Sequence, residues 1–128
     1  MSRTVLICDD TLFMRAAIRQ YLATGDYEVV AEASNGIEAE ELYRKHRPDL
    51  VTMDLVMPER PGVEAVRRIV EFDPDARVVM CSAMGQESLV NEAMSAGARG
   101  WVTKPFSAPQ LIEALETAMS TDRASTAA

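Results

Sequence analysis

The chain has 128 residues, of which 48% are hydrophobic and 26% charged, a composition typical of one globular domain with a single core. Its net charge of −7 argues against nucleic acid binding by this domain, because the phosphate backbone attracts basic surfaces. The apolar runs fall short of the ~18 residues of a membrane span. The N-terminus lacks a signal-peptide pattern, so we expect a cytoplasmic protein without membrane contact. We interpret Cys8 and Cys81, which lie in apolar runs, as buried free thiols.

Five short apolar runs alternate along the chain with five segments of helical periodicity. The predicted strands cover residues 4–8, 28–33, 50–54, 77–81 and 100–103. The predicted helices cover residues 12–23, 62–71 and 87–96; another follows the turn at residues 34–36 and ends at about His46, and a fifth follows Ser107. Strands that alternate with helices favour parallel pairing with helical crossovers. We therefore predict the α/β class, with a (βα)5 chain folded into a doubly wound parallel sheet.

Several predicted helices carry signals for their ends or faces. In the first helix, the periodicity places one set of residues on a common face, with Arg15 off it. That set is Phe13, Ala16, Ala17, Gln20 and Tyr21. Asn35 with Glu38, and Ser107 with Gln110, have the spacing of helix capping boxes.

Charged or polar residues stand where four of the predicted strands end. In chain order they are Asp9 with Asp10, Asp54, Ser82 and Lys104. In a parallel sheet these ends share one edge, and that edge is where open α/β sheets bind ligands. Three carboxylates and one ammonium leave a local charge of about −2, so the carboxylates repel each other unless a cation is bound. Oxygen ligands without histidine or thiolate favour Mg²⁺.

This set of residues suits phosphoryl transfer to an aspartate. Taken alone, Asp54 could equally be a turn or helix-capping residue. With the other residues beside it, its carboxylate can accept a phosphoryl group, and Lys104 and Mg²⁺ can neutralise the phosphoryl oxygens. Ser82 can donate a hydrogen bond to one of them. The sequence has no GxxxxGK[ST] loop and no GxGxxG motif, so we expect another molecule to be the phosphoryl donor.

The same residues, in this order, resemble the receiver domain of two-component response regulators, and in particular its single-domain chemotaxis members. The matching stretches are residues 5–10, 13–15, 53–54, 57–58, 79–86, 96–98 and 104–106. They span nearly the whole chain. The resemblance implies a receiver domain over residues 1–120 with strand order 2-1-3-4-5, as in flavodoxin-like sheets. It leaves residues 121–128 as a flexible tail or the start of a linker.

The resemblance also implies a role for each site residue. Asp54 is the expected phosphoacceptor, and Ser82 and Lys104 are expected to contact the phosphoryl group. The expected Mg²⁺ ligands are Asp10, Asp54, the backbone carbonyl of Val56 and, through a water molecule, Asp9. Ser82 and Trp101 are the expected switch pair: Ser82 moves towards the phosphoryl group while the aromatic ring turns inward. The peptide from Lys104 to Pro105 is expected to be cis.

The resemblance further implies a signalling protein that acts through its partners. The phosphodonor would be a sensor histidine kinase, and a phosphatase is a further candidate partner. The output surface would be the fourth helix, fifth strand and fifth helix, which would bind a downstream protein such as a flagellar motor switch protein. We expect a monomer. We do not expect an enzyme in the usual sense, because the domain would catalyse only its own Mg²⁺-dependent phosphorylation and dephosphorylation.

Three places differ from what is usual in this family. Trp101 stands where tyrosine, phenylalanine or histidine is usual. Residues 60–62 are Arg-Pro-Gly, in a loop that usually carries an acid and a glycine. Val56 and Met84 flank the site at positions that are often polar in fast-hydrolysing members. Because apolar side chains cannot orient a water molecule, we predict a longer phosphoryl lifetime than in members with polar residues there.

Three alternatives remain open from the sequence. The chain could be the receiver fragment of a longer DNA-binding response regulator. It could be a small phosphatase with a phosphoaspartate mechanism, although such an enzyme needs a second acid near the nucleophile, and the residue two positions after Asp54 is Val56. It could also be a pseudo-receiver that only makes contacts, against which the complete set of site residues argues.

Overall fold

The computed structural model describes residues 2–120, in which five strands and five helices alternate. The strands are β1 (Arg3–Cys8), β2 (Tyr27–Ala33), β3 (Leu50–Asp54), β4 (Val78–Ser82) and β5 (Gly100–Thr103). The helices are α1 (Leu12–Leu22), α2 (Gly36–His46), α3 (Gly62–Phe72), α4 (Glu87–Ala96) and α5 (Ala108–Ser120). Every predicted element is present, with small shifts at its ends. The predicted tail at residues 121–128 lies outside the described residues.

The five strands form one parallel sheet in the order β2-β1-β3-β4-β5, which confirms the predicted doubly wound α/β fold. Two apolar clusters cover its two faces. One contains residues of α2, α3 and α4, and the other contains residues of α1 and α5. Leu6 and Cys8 of β1 belong to the first cluster, and Val5 and Ile7 to the second, as alternation along a strand requires. Burial on both faces explains why the strands are nearly continuous apolar runs.

The buried face of α1 differs from the one that its periodicity predicted. Ile18 and Leu22 are buried in the cluster shared with α5, whereas Phe13 is 80% exposed. Of the predicted set, only Ala17 and Tyr21 are partly buried. The prediction was wrong because α1 carries two apolar stripes. The docking of α5, which lies far away in the sequence, decides which of them is buried.

Side-chain caps fix the start of two helices at the edge of the sheet where the strands end. The Asn35 side chain accepts a hydrogen bond from the Glu38 N–H (2.8 Å), and the Glu38 carboxylate accepts one from the Ser34 N–H (2.8 Å). Ser107 and Gln110 exchange reciprocal bonds of 2.8 and 3.3 Å. Both predicted caps are confirmed, although Glu38 reaches Ser34 where the capping box would use Asn35.

The two cysteines are buried free thiols, as predicted. Burial raises the pKa of Cys8 well above its ordinary value and that of Cys81 to about 12, so both thiols are protonated and unreactive at neutral pH. Within residues 2–120, none of the helices combines the length and the apolar character needed to cross a membrane.

Candidate functional site

Three acids meet at the carboxyl edge of the sheet. Cys8 pairs with Met53 across β1 and β3, so Asp9, which follows β1, lies beside Asp54 at the end of β3. Carboxylate oxygens of Asp9, Asp10 and Asp54 all lie within 4.8 Å of one another. Asp9 and Asp54 are 1% and 8% exposed, whereas Asp10 is exposed. A group of carboxylates this close together has the ligand chemistry of a site for a hard divalent cation.

Lys104 brings one positive charge into this group. Its Nζ atom lies 3.1 Å from Asp9 Oδ2 and 3.4 Å from Asp54 Oδ1. Strand β5 carries it there, because the Lys104 N–H donates to the Ser82 carbonyl (2.6 Å) and continues the pairing of β4 with β5. The following peptide, to Pro105, is cis as predicted. The structure therefore brings together the acids and the lysine that the sequence placed at separate strand ends.

Burial and neighbouring charges shift the pKa values of the two central groups. Burial raises the pKa of Asp54; Lys104 counters this effect, and Asp9 and Asp10 add to it. Burial opposes the charged form of Lys104, but the carboxylates of Asp54 and Asp9 outweigh burial and raise its pKa. Lys104 is therefore protonated at neutral pH. Positive charge near Asp54 favours its ionised form, as the ammonium of Lys104 already does.

Two residues to which the sequence analysis assigned no role at the site hold Asp9 in place. The Thr11 N–H and hydroxyl donate to Asp9 Oδ1 at 2.9 and 3.0 Å, and the same hydroxyl caps α1. Arg15 donates to the Asp9 carbonyl oxygen (2.8 Å) and to Glu32 (2.9 Å). Thr11 could have been recognised, because threonine directly before a helix is a common N-cap. Arg15 could not, because its partner Glu32 lies on β2 and only the fold brings the two together.

The predicted switch residues border a cavity beside the acids. Ser82 is 2% exposed, and its hydroxyl donates to the Val102 carbonyl oxygen on β5 (3.3 Å). Trp101, also on β5, is 52% exposed. A cavity of about 370 Å³ lies between β4, β5 and α4, and Ser82, Met84 and Trp101 are among its lining residues. The indole is thus about half exposed and borders this cavity.

The two predicted modulating residues lie at the rim of the site. Val56, on the loop between β3 and α3, is 57% exposed, and Met84, on the loop between β4 and α4, is 82% exposed. The valine side chain cannot form a hydrogen bond with water, and the thioether of methionine is only a weak acceptor.

The chain belongs to the response regulator receiver domain family, whose sequence model matches residues 5–116. Within two-component signalling, it is similar to the chemotaxis protein CheY of Bacillus subtilis, with 48% identity over 120 residues that cover 94% of this chain and 100% of that protein. Among solved structures, it is similar to the CheX–CheY–BeF3–Mg²⁺ complex from Borrelia burgdorferi. There the TM-score is 0.88 and the identity 31%, over 93% of this chain and 90% of that one. The predicted family and fold are confirmed.

A similar stretch also occurs in a longer protein. The chain is 42% identical to the transcriptional regulatory protein PdtaR of Mycobacterium tuberculosis over 125 residues, which cover 98% of this chain but only 60% of that protein. Membership of the family therefore does not decide by itself which kind of output follows the receiver domain.

Proposed function

We propose that this chain is a signalling switch in which Asp54 accepts a phosphoryl group from a sensor histidine kinase. One observation carries the proposal: Lys104 Nζ lies 3.4 Å from Asp54 Oδ1, within a group of three carboxylates whose oxygens lie within 4.8 Å of one another. A purely structural acid would not be placed at 8% exposure beside two more acids, because burying a carboxylate is unfavourable without a compensating charge.

The residues present fit a Mg²⁺ ion. Asp10, Asp54 and the backbone carbonyl of Val56 would bind it directly, with Asp9 acting through a water molecule. The exposed position of Asp10 leaves one side of the site open to the solvent, and Mg²⁺ characteristically keeps several waters. When bound, the ion would neutralise charge on the phosphoryl oxygens. A related CheY has been solved in a complex with CheX, BeF3 and Mg²⁺, which supports Mg²⁺ as the cation here.

In the transfer, a carboxylate oxygen of Asp54 would form a bond to phosphorus while the bond from phosphorus to the kinase imidazole breaks. The imidazole nitrogen leaves with the electron pair of that bond. Lys104 would then pair with a phosphoryl oxygen, since its ammonium already lies next to Asp54. The Ser82 hydroxyl, which donates to the Val102 carbonyl in this structure, would donate to a second phosphoryl oxygen. The only catalysis that we propose is of the domain's own phosphorylation and dephosphorylation.

The expected result of phosphorylation is a change at the surface formed by α4, β5 and α5. Once the Ser82 hydroxyl leaves the Val102 carbonyl, Trp101 could turn towards the cavity that both residues border. The exposed indole would then no longer project from β5. Such a change would alter the groove that Trp101, Met94 and Ala114 help to line on this surface.

We place this switch in chemotaxis, with a flagellar motor switch protein as the downstream partner and a phosphatase as a further one. The support is the similarity to the chemotaxis protein CheY over the full length of that relative. The test is to measure binding of the phosphorylated and unphosphorylated chain to a flagellar motor switch protein. We expect tighter binding of the phosphorylated form, and equal binding would contradict this assignment.

Phosphorylation itself is tested by incubating the chain with Mg²⁺ and acetyl phosphate and measuring the intact mass. We expect the wild-type chain to gain one phosphoryl group and Asp54→Asn to gain none. A gain in neither would overturn the proposal, and a gain in both would show that another residue is the acceptor.

The second candidate function is the receiver part of a transcriptional regulator. It is favoured by the similarity to PdtaR, of which this chain matches 60%. The net charge of −7 argues against DNA binding by this chain itself, so the second function would need DNA-binding residues elsewhere. The length of the full gene distinguishes the two candidates, because this second function requires a further domain.

A further inference from the structure

The loop between β3 and α3 has a tight conformation that its own sequence does not favour. The Arg60 N–H donates to the Pro58 carbonyl (2.7 Å), which leaves Glu59 between them at φ +69°. That region is unfavourable for residues other than glycine, asparagine and aspartate. The end of the loop folds back on its start: the Gly62 N–H donates to the Leu55 carbonyl (2.8 Å). Contacts from outside the loop must therefore maintain it.

An ion pair with α2 provides the most direct of these contacts. The Arg60 guanidinium bonds to the Glu40 carboxylate, and the two side chains are only 20% and 13% exposed. The backbone of Arg60 also lies against Gly36 at the start of α2, where any Cβ would overlap the Arg60 carbonyl oxygen. The side chain and the backbone of one loop residue are thus both held by the same helix.

Helix α2 is a firm support because it is also attached to the far end of α3. The Tyr43 hydroxyl donates to Asp73 Oδ2 (2.7 Å) just beyond that helix. The guanidinium groups of Arg44 and Arg47 lie 4.6 and 4.9 Å from the centre of the Phe72 ring. The end of α2 is thus held by contacts that do not involve the loop.

We propose that Arg60 is a positioning residue, whose pair with Glu40 fixes the loop that follows Asp54 and carries the Val56 carbonyl towards a divalent cation. The proposal rests on the proposed function, because those two ligands are assigned there. It also gives a role to the Arg-Pro-Gly sequence at residues 60–62, which the phosphoryl transfer itself leaves unexplained. The ion pair holds the loop before α3 in place, and the position of this loop determines where the Val56 carbonyl lies at the metal site.

Charge alone predicts a different pattern from positioning. If Arg60 and Glu40 affected the ion only through electrostatic interaction, neutralising Arg60 would strengthen Mg²⁺ binding, and neutralising Glu40 would weaken it. If the pair positions the loop, losing either partner weakens binding. Residues that orient metal ligands typically contribute about tenfold or more to metal affinity.

The experiment is a calorimetric titration of Mg²⁺ into the unphosphorylated chain and its variants. We expect Arg60→Met and Glu40→Gln each to weaken Mg²⁺ binding about tenfold, and the double variant to bind no more weakly than either single one. Arg60→Lys, which retains a charge that can reach Glu40, should stay close to wild type. The matched control is Arg68→Met, which removes an arginine from an exposed pair with Glu64 on α3.

Opposite effects of Arg60→Met and Glu40→Gln, or unchanged binding in both, would overturn the proposal, and so would additive effects in the double variant. Circular dichroism establishes that each variant is folded. If Arg60→Met does not fold, Arg60→Gln takes its place, because it also removes the charge of Arg60 and so distinguishes positioning from charge alone. Absence of Mg²⁺ binding in the wild-type chain would instead overturn the metal site of the proposed function, so the two failures are distinct.

Discussion

Asp54 is unfavourable for the stability of the chain in the absence of a cation. Its pKa is raised chiefly by burial, so its ionised form is less favourable in the folded than in the unfolded chain. Below the ordinary pKa of an aspartate both states are protonated and this penalty is absent. Above the raised pKa the penalty is fully present. Removing the charge leaves Lys104 paired with Asp9 and so does not create an unpaired ammonium.

We therefore predict that Asp54→Asn raises the free energy of unfolding at pH 7 without Mg²⁺. The difference should vanish as the pH falls through the raised pKa towards the ordinary value for aspartate. Urea unfolding at several pH values measures both effects. Asp75→Asn, at an exposed acid outside the site, serves as control and should change stability little. Equal stability of wild type and Asp54→Asn at pH 7 would contradict this account.

Val56 is the residue through which we expect the phosphoryl lifetime to be set. Its exposed apolar side chain stands two positions after Asp54, the proposed phosphoacceptor, and cannot orient a water molecule. Val56→Asn supplies a hydrogen bond of about 1 kcal/mol. When this hydrogen bond stabilises the transition state of phosphoaspartate hydrolysis, phosphate release becomes about fivefold faster. Release of phosphate from the phosphorylated chain is the measurement, with Met84→Leu as the apolar control. An unchanged rate in Val56→Asn would refute the prediction.

At the scale of elements, β4 and β5 connect the site to the outer surface. The only tryptophan in the chain, Trp101, is 52% exposed and borders the cavity next to Ser82. If phosphorylation turns its ring into that cavity, the indole leaves water and its fluorescence should shift to shorter wavelength. Acetyl phosphate with Mg²⁺ provides the test, and Asp54→Asn should show no shift. A chain that is phosphorylated by mass but unchanged in emission would exclude this movement.

Elements whose signals are local could be predicted from the sequence, and those that depend on distant partners could not. The caps at Asn35 and Ser107 were correct because a cap involves residues only three apart. The predicted face of α1 was wrong, because α5 packs against the side of the helix that carries Ile18 and leaves Phe13 exposed. The pair of Arg60 with Glu40 joins residues 20 positions apart on different elements, so no local pattern could indicate it.

At the scale of the whole molecule, the site could be predicted because the parallel sheet converts sequence order into position. Every strand runs in the same direction, so a residue that ends a strand must lie at the common edge. That rule placed Asp9, Asp54 and Lys104 together without knowledge of a single distance. It could not supply the role of Arg15, which bonds both to the Asp9 carbonyl and to Glu32 on β2 and so depends on a partner that only the fold brings near.

A cation that binds only the folded chain should stabilise the whole molecule, since the carboxylates that bind it come from separate strand ends and meet only on folding. At Mg²⁺ ten times above its dissociation constant the gain is about 1.4 kcal/mol. For a domain of this size we predict a rise in melting temperature of about 3–6 °C. Asp10→Asn should abolish most of it without harming the fold, because Asp10 is exposed. Thermal unfolding with Mg²⁺, and with NaCl at matched ionic strength, separates ion binding from screening of the net charge. A rise of the same size in Asp10→Asn, or with NaCl alone, would show that the acids bind no specific cation.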